Sequence, residues 1–390
     1  MNRELLVKDI IDRLARFPSP FDSHYGVIPI PPSEEYVVLG EATQVHQEAM
    51  NSISKIDALV EELIDPYIVS RVLSRQEAVH SSKIEGTNST LNELLYLEEG
   101  DQKSNARPVI AYANALERHL PQAKNNKEEY FTTDLICDLH QWIAQNDPDC
   151  RGKPGFIRDK VVWIGGTGNI AYSTYNPTPP QNIQSCLIEN VAYLRKEGMG
   201  SLCQSIVTRM ALSHLHFEAI HPFEDGNGRT GRLLLPLMMA AEGHVPIYLS
   251  SYIEANKQEY YDSLKEGQQR NKRLPMISYI SNAIKKSVEE VMVTRSALKE
   301  LEKKWKQRAH SREGSTAYKA LSLLPHYPVL TTKRLAELLN VSIPAASRGI
   351  QQLKIDGIIK EKTGYQRNRI FVAEEALLIL NRPFGEAPAI

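Results

Sequence analysis

Residues 221–232 read H-P-F-E-D-G-N-G-R-T-G-R, and an apolar run, Leu233-Leu234-Leu235-Pro236-Leu237-Met238-Met239-Ala240-Ala241, follows without a break. The run is apolar on every face, so it reads as a helix buried in a helical core. Pro236 is expected to kink that helix and Gly243 to end it. The loop before it carries the chemistry. A glycine-rich loop entering a helix points backbone N–H groups at an anion, and the helix dipole adds to the attraction. Gly226 and Gly228, with Asn227 between them, let a phosphate come close to the backbone. Arg229 and Arg232 carry planar forks that match phosphate oxygens. Asp225 is a hard oxygen ligand of the kind Mg²⁺ takes when it is shared with a nucleotide phosphate. His221 titrates near neutrality and can accept a proton from a hydroxyl. Each element alone also has a structural reading: G-N-G is often only a turn, and a histidine before proline only a support. Together they describe transfer of a phosphorus group to a hydroxyl.

Outward from this stretch the grammar stays helical. Residues 1–20 read as one short helix with Leu5, Ile10, Ile11 and Leu14 in a stripe, and prolines extend the chain from 26 to 34. A helix over about 67–86 ends in Ser81-Ser82-Lys83-Ile84-Glu85-Gly86. Ser81 and Glu85 share one face, and Gly86 is placed to stop the helix. A glutamate at a helix C-terminus is badly sited unless a cation meets it, and taken alone it reads first as a solvated surface residue. The β-like region ahead of the tail is 153–183. There Val161-Val162-Trp163-Ile164, the turn from Gly165 to Asn169 and a return strand over 170–175 read as a hairpin. Its edge suits an added target strand, or it simply caps a core. His214 and His216 read as buried supports. A long charged helix, 285–312, leads to a boundary near Gly314. Beyond it, Thr332 caps one helix, a second presents Ser347, Arg348, Gln351 and Gln352 outward, and strands at 358–359 and 370–372 follow.

The chain has 390 residues, enough for two or three cores, and a net charge of −1 that excludes a general nucleic-acid or membrane binder. Cys137, Cys150, Cys186 and Cys203 are scattered, which argues against a disulfide framework or zinc site and fits a reducing compartment. Neither a leader nor a membrane span is read, so the expected location is cytoplasmic.

The stretch from His221 to Arg232 resembles the signature of the Fic (filamentation induced by cAMP) family, H-x-F-x-[D/E]-G-N-G-R-x-x-R, at every defined position. Ser81 to Gly86 resembles that family's inhibitory pattern, [S/T]-x-x-x-E-[G/N], placed ahead of the core as in the N-terminally inhibited class. The segment from 316 resembles a winged helix-turn-helix. The resemblance implies a mainly α fold: a helical Fic core with one β-hairpin flap, plus a small C-terminal winged-helix domain. It implies an N-terminal region over 1–110, a catalytic core over 111–284, a helical linker over 285–315 and the winged helix over 316–390. It further implies AMP transfer from ATP with Mg²⁺ to a Ser, Thr or Tyr hydroxyl of a target protein. His221 would be the base and Asp225 the Mg²⁺ ligand, while Gly226, Asn227 and Gly228 form the anion cradle and Arg229 and Arg232 hold phosphates. Val162, Trp163, Ile164 and Gly165 would form the flap that registers the target. Glu85, helped by Ser81, would pair with Arg232 and deny it the γ-phosphate. AMP removal, another nucleotide donor, self-modification and homodimerisation stay open as alternatives. So does a nucleotide-sensing DNA-binding regulator that contacts DNA through the C-terminal domain, which equally suits a protein partner.

Overall fold

The sequence pattern calls for helices around a buried central one, and that is the architecture of the computed structural model, which describes residues 1–32, 37–63, 71–100, 106–199, 204–363 and 368–389. In chain order come α1 (Lys8–Ile11), β1 (Leu14–Arg16), β2 (Tyr25–Val27), α2 (Thr43–Leu63), α3 (Arg71–Ile84), α4 (Leu91–Glu98), α5 (Arg107–Asn126), α6 (Thr133–Ala144), α7 (Ile183–Leu194) and α8 (Ile206–Ile220). Then follow α9 (Asn227–Ala241), α10 (Ser250–Ala255), α11 (Lys257–Arg270), α12 (Leu274–Arg308), α13 (Thr316–Leu321), β3 (Val329–Thr331), α14 (Thr332–Leu339), α15 (Ile343–Ile355), β4 (Lys360–Glu361), β5 (Ile370–Val372) and α16 (Glu374–Leu380).

α9 is the hub. Every residue from Arg229 to Ala241 is buried, and α3, α5, α6 and α8 pack around it. Each leucine so buried contributes about 1.5–3 kcal/mol. Pro236 lies inside the helix without ending it, and Gly243 takes the left-handed turn after it, φ +84°. α8 is buried throughout, so its polar side chains need partners. His214 Nε2 lies 2.8 Å from the Tyr260 hydroxyl, and His216 Nδ1 lies 3.3 Å from Asn190 Nδ2.

Several expectations change. Residues 1–20 do not form one helix: α1 is a single turn, and β1 pairs antiparallel with β2, Leu14 opposite Val27. So short a helix is marginal alone. Packing against Val27, Tyr175 and Ala219 takes Leu6 and Ile10 instead, and Arg13 Nε donates to the Ile28 carbonyl at 3.0 Å. The hairpin at 161–175 shrinks to one antiparallel bridge, Ile164 with Tyr175, and 170–172 is a helical turn rather than a return strand. Gly165, Gly166, Thr167 and Gly168 take the positive φ of a turn, but the Asn169 side chain accepts from Ala171 N and winds 170–172 away from the ladder. The long charged helix starts earlier, at Leu274, with proline in its first turn where no N–H is needed. Its first half packs on α2, α8 and α11, and its second half reaches α13 and α16. Of the helix expected over 67–86, residues 67–70 lie outside the described residues.

In the C-terminal segment three strands assemble in the order β3-β5-β4, all antiparallel. Val329–Thr331 is an unanticipated member, and the first late strand is Lys360–Glu361, while Ile358 and Ile359 are buried in the core instead. The α14 cap is Thr331, one residue before Thr332, and its side chain accepts from Arg334 N. The segment is tied to the rest of the chain: Glu99 accepts from Thr331 N at 3.2 Å and from Arg334 Nε at 3.0 Å, and Gln76 Nε2 donates to the Leu380 carbonyl at 2.7 Å.

Candidate active site

His221 caps the C-terminus of α8 in the left-handed conformation, φ 53°, and its N–H donates to the Phe217 carbonyl at 3.0 Å. The turn sends the chain back across the end of α8 and into α9. Arg158 fixes it: Nε donates to the His221 carbonyl at 2.8 Å, Nη1 to Lys160 O at 2.9 Å and Nη2 to Thr178 O at 2.6 Å. Burial lowers the Arg158 pKa to about 10, which leaves it charged at neutral pH. Each carbonyl orphaned by its loss costs about 1–3 kcal/mol. Arg158→Ala is therefore expected to destabilise the protein by roughly 3 kcal/mol or more, read as a lower urea midpoint.

The rest of the loop is held by its own side chains. Asn227 is expected in the anion cradle, but its amide is taken: Oδ1 accepts from Phe223 N at 2.8 Å and Nδ2 donates to Phe223 O at 2.9 Å. The side chain thus braces the loop. Phe223 stacks on His140, with ring centroids 3.8 Å apart and planes at 4°. His140 Nδ1 accepts from Gly155 N at 2.9 Å, so its Nε2–H donates to the Asp225 carbonyl at 3.1 Å. Burial lowers the His140 pKa to about 4, consistent with this neutral clamp. Asp225 Oδ1 accepts from Gly226 N at 2.7 Å, and Oδ2 lies 3.9 Å from Arg151 Nε.

The two arginines part company. Arg229 lies behind the Gly226 turn and pairs with Asp147 at 2.8 Å, and it does not line the cavity. Arg232 is buried and faces the cavity. Its Nε donates to Ser81 Oγ at 2.9 Å, and its Nη2 donates to Ser81 O at 2.9 Å and to Glu85 Oε1 at 2.7 Å. Burial pushes the Glu85 carboxyl up, but the Arg232 guanidinium outweighs it and holds the pKa below the ordinary value. The pair is thus intact at neutral pH, and its contribution is lost only as the solution is acidified through that depressed pKa. Gly86, φ +95°, ends α3. The awkward siting of a glutamate at a helix C-terminus is met by two cations, Arg232 and Lys257, whose Nζ donates to the Ile84 carbonyl.

These residues line a cavity of about 610 Å³, within the range of small-molecule sites. His221, Asp225, the 226–228 backbone and Arg232 form its floor. Trp163 and Ile164 are on one wall and Tyr260 and Tyr261 on the other. Trp163 is braced by Phe21, ring centroids 5.6 Å apart. Val162 and Gly165 flank this wall without lining it. His221 is neutral at physiological pH: burial and the nearby Arg158 lower its pKa to about 4, against the pull of Glu85, the Glu218 carbonyl and Asp225. Among the described residues no group of three or more His, Cys, Asp or Glu side chains is placed to hold a metal. Asp225, a carboxylate beside the glycine loop of a nucleotide-sized cavity, does fit Mg²⁺, which keeps most of its ligands as water and substrate phosphate. Sequence reasoning missed Asp147, Arg158 and Lys257, which carry no local signal. His140 was accessible as a polar residue on the apolar face made by Ile136, Leu139 and Ile143.

Comparison with known proteins gives the same outline. The Fic/DOC family matches residues 130–239, and the family's N-terminal region matches residues 43–120. The protein adenylyltransferase fic-1 of Caenorhabditis briggsae is 29% identical over 218 residues, which are 54% of this chain and 39% of that protein. A probable protein adenylyltransferase of Aquifex aeolicus is 26% identical over 218 residues, 55% of this chain and 59% of its own length. The chain thus spans less than two thirds of these curated relatives. A Fic family protein from Desulfovibrio desulfuricans shares the fold, with a TM-score of 0.55 at 17% identity over 88% of this chain and 98% of its own. Residues 130–239 of this chain are thus similar to the Fic/DOC family, and residues 43–120 to that family's N-terminal region.

Proposed function

We propose that the protein transfers AMP from MgATP to a Ser, Thr or Tyr hydroxyl of a target protein, and that Glu85 restrains it. The observation that carries this reading is the placement of a neutral His221 and the N-terminus of α9 on one floor, with Arg232 engaged by Glu85. In the reaction His221 takes the proton of the target hydroxyl, the oxygen bonds to the α-phosphorus, and the bond to pyrophosphate breaks. Backbone N–H groups at 226–228 and the α9 dipole stabilise the charge that builds on the phosphoryl oxygens. Mg²⁺, held by Asp225 and the phosphates, would neutralise the leaving group's charge. Arg232, freed from Glu85, would seat the γ-phosphate. Trp163 and Ile164 would register the target main chain at the bridge to Tyr175. Incubating the full chain with MgATP and a lysate, followed by mass spectrometry, tests this: AMP adducts with pyrophosphate release support it, and their absence from parent and Glu85→Gly alike overturns it.

We also infer that residues 316–380 form a winged helix whose α15 presents Ser347, Arg348 and Gln351 outward; Gln352 is drawn aside to Asp356 at 3.0 Å. Lys360 pairs with Glu374 and Arg369 with Glu361, so few flanking cations are free for phosphates. Of the flanking cations, Arg367 lies outside the described residues. Duplex binding through this face is expected to show a shallow salt dependence in gel shifts, with log K falling by about 0.9 per phosphate neutralised. A steep slope would contradict this arrangement.

A further inference from the structure

The cavity wall that carries Trp163 and Ile164 is held from both sides by the hairpin β1–β2, which lies outside the two matched regions, 43–120 and 130–239. Its second strand is joined to the residues that follow Tyr175. Val27 N donates to the Asn176 carbonyl at 3.0 Å, Asn176 Nδ2 to the Tyr25 carbonyl at 2.9 Å and Thr178 Oγ1 to the Val27 carbonyl at 3.2 Å. A Cβ at position 26 would lie 2.3 Å from the Pro177 carbonyl oxygen, so Gly26 permits this approach. The tip of the hairpin turns to the opposite limb of the wall. Phe17 N donates to the His24 carbonyl at 3.1 Å and His24 N to the Phe21 carbonyl at 2.8 Å, which fixes Phe21 at the tip. Its ring meets Trp163 at 5.6 Å between centroids, with the planes at 56°. Trp163, Ile164, Thr174 and Tyr175 line the cavity, and Phe21 stands behind them without lining it. The limbs themselves share one bridge, Ile164 with Tyr175, and among the described residues the main chain of 161–163 makes no hydrogen bond.

We propose, resting on the transfer reading above, that Phe21 is a positioning residue for the acceptor: it sets Trp163, and with it the open edge at 161–163, so that an extended target segment brings its hydroxyl to His221. Such a segment adds to an edge through main-chain hydrogen bonds, and these need the edge held in place. A tilted aromatic pair supplies that hold, because rings prefer defined relative orientations. Misplacing a reacting group by about an ångström costs about 10²-fold. The nucleotide seat is held by other groups. Arg158 fixes the His221 carbonyl, His140 the Asp225 carbonyl, and α3 carries Ser81 and Glu85 to Arg232. Loss of the Phe21 ring is therefore felt by the acceptor and not by ATP.

The test compares Glu85→Gly, Glu85→Gly/Phe21→Ala and Glu85→Gly/Phe21→Tyr as full chains with MgATP and a lysate. Phe21 is half-buried at a hairpin tip, so its truncation leaves no void in the core. The expected result with Ala is AMP incorporation lower by about tenfold or more, and a Kd for MgATP by calorimetry within about twofold, since separated sites act independently. Tyr keeps the ring and should restore the rate. In a Glu85→Gly/Trp163→Ala background, removing Phe21 should cost nothing further, because its effect passes through Trp163. A fall matched by weaker ATP binding overturns the proposal, as does a fall that persists on top of Trp163→Ala. If Glu85→Gly itself transfers no AMP, the transferase reading fails and the acceptor role falls with it. Transfer by Glu85→Gly that Phe21→Ala leaves intact overturns the acceptor role alone.

Discussion

Glu85→Gly should raise the rate of AMP incorporation, by about 100-fold if the restrained arrangement holds 99% of the molecules. Truncating one partner of a buried ion pair ordinarily costs about 3–5 kcal/mol, because the other charge is stranded. The Glu85 side chain is 37% exposed and Arg232 lines the cavity, so water meets part of that charge and the variant without nucleotide should melt only modestly below the parent. ATP changes the balance, since its γ-phosphate supplies the missing anion. The variant should therefore gain more stability from MgATP than the parent does, with about 2.7 kcal/mol available at a hundred times Kd. Two readings together check the idea: AMP incorporation and the nucleotide-dependent melting shift. An unchanged or lower incorporation rate in Glu85→Gly sinks it.

His221→Asn is expected to abolish transfer while leaving ATP binding within about twofold. A positioned general base contributes about 10²–10⁴-fold. Asn is a cleaner replacement than Ala because His221 sits at φ 53°, a conformation Asn tolerates. The Arg158 bond to the position-221 carbonyl survives, so the loop keeps its shape. The cradle and Arg232 are untouched, which is why binding by calorimetry should persist. Labelling with radioactive AMP in Glu85→Gly/His221→Asn comparable to Glu85→Gly would remove His221 from the mechanism.

Much of this was legible from the chain because the informative residues are adjacent. The signature packs base, carboxylate, cradle and cation into one loop, and local geometry brings most of them to one cavity. Ser81 and Glu85 were readable as a pair because they share a helix face, and the cation that an acid at a helix C-terminus requires is Arg232. What sequence reasoning could not supply were partners from afar. Asp147 draws Arg229 off the cavity, and the Phe223 backbone consumes the Asn227 amide. Nothing in either local pattern announces this. The N-terminal segment was misread because its apolar residues suit a helix in isolation, whereas packing against Tyr175 and Ala219 decides otherwise. The strand Val329–Thr331 escaped because its partner, Ile370–Val372, lies some forty residues further along the chain, and no local pattern announces the pairing.

The seat of Glu85 has one more consequence. A Cβ at position 228 would lie 2.3 Å from Glu85 Oε1 and 2.9 Å from Arg232 Nη1. The carboxylate is thus a tethered ligand, delivered by α3 to the protein's own anion seat. Tethered ligands act through an effective concentration, which is unaffected by dilution of the protein. ATP can enter the cavity by its other groups without winning this seat. Once ATP is saturating, the share of molecules with the seat open is a purely intramolecular ratio. The plateau rate of the parent divided by that of Glu85→Gly is then a direct reading of that share, at any protein concentration.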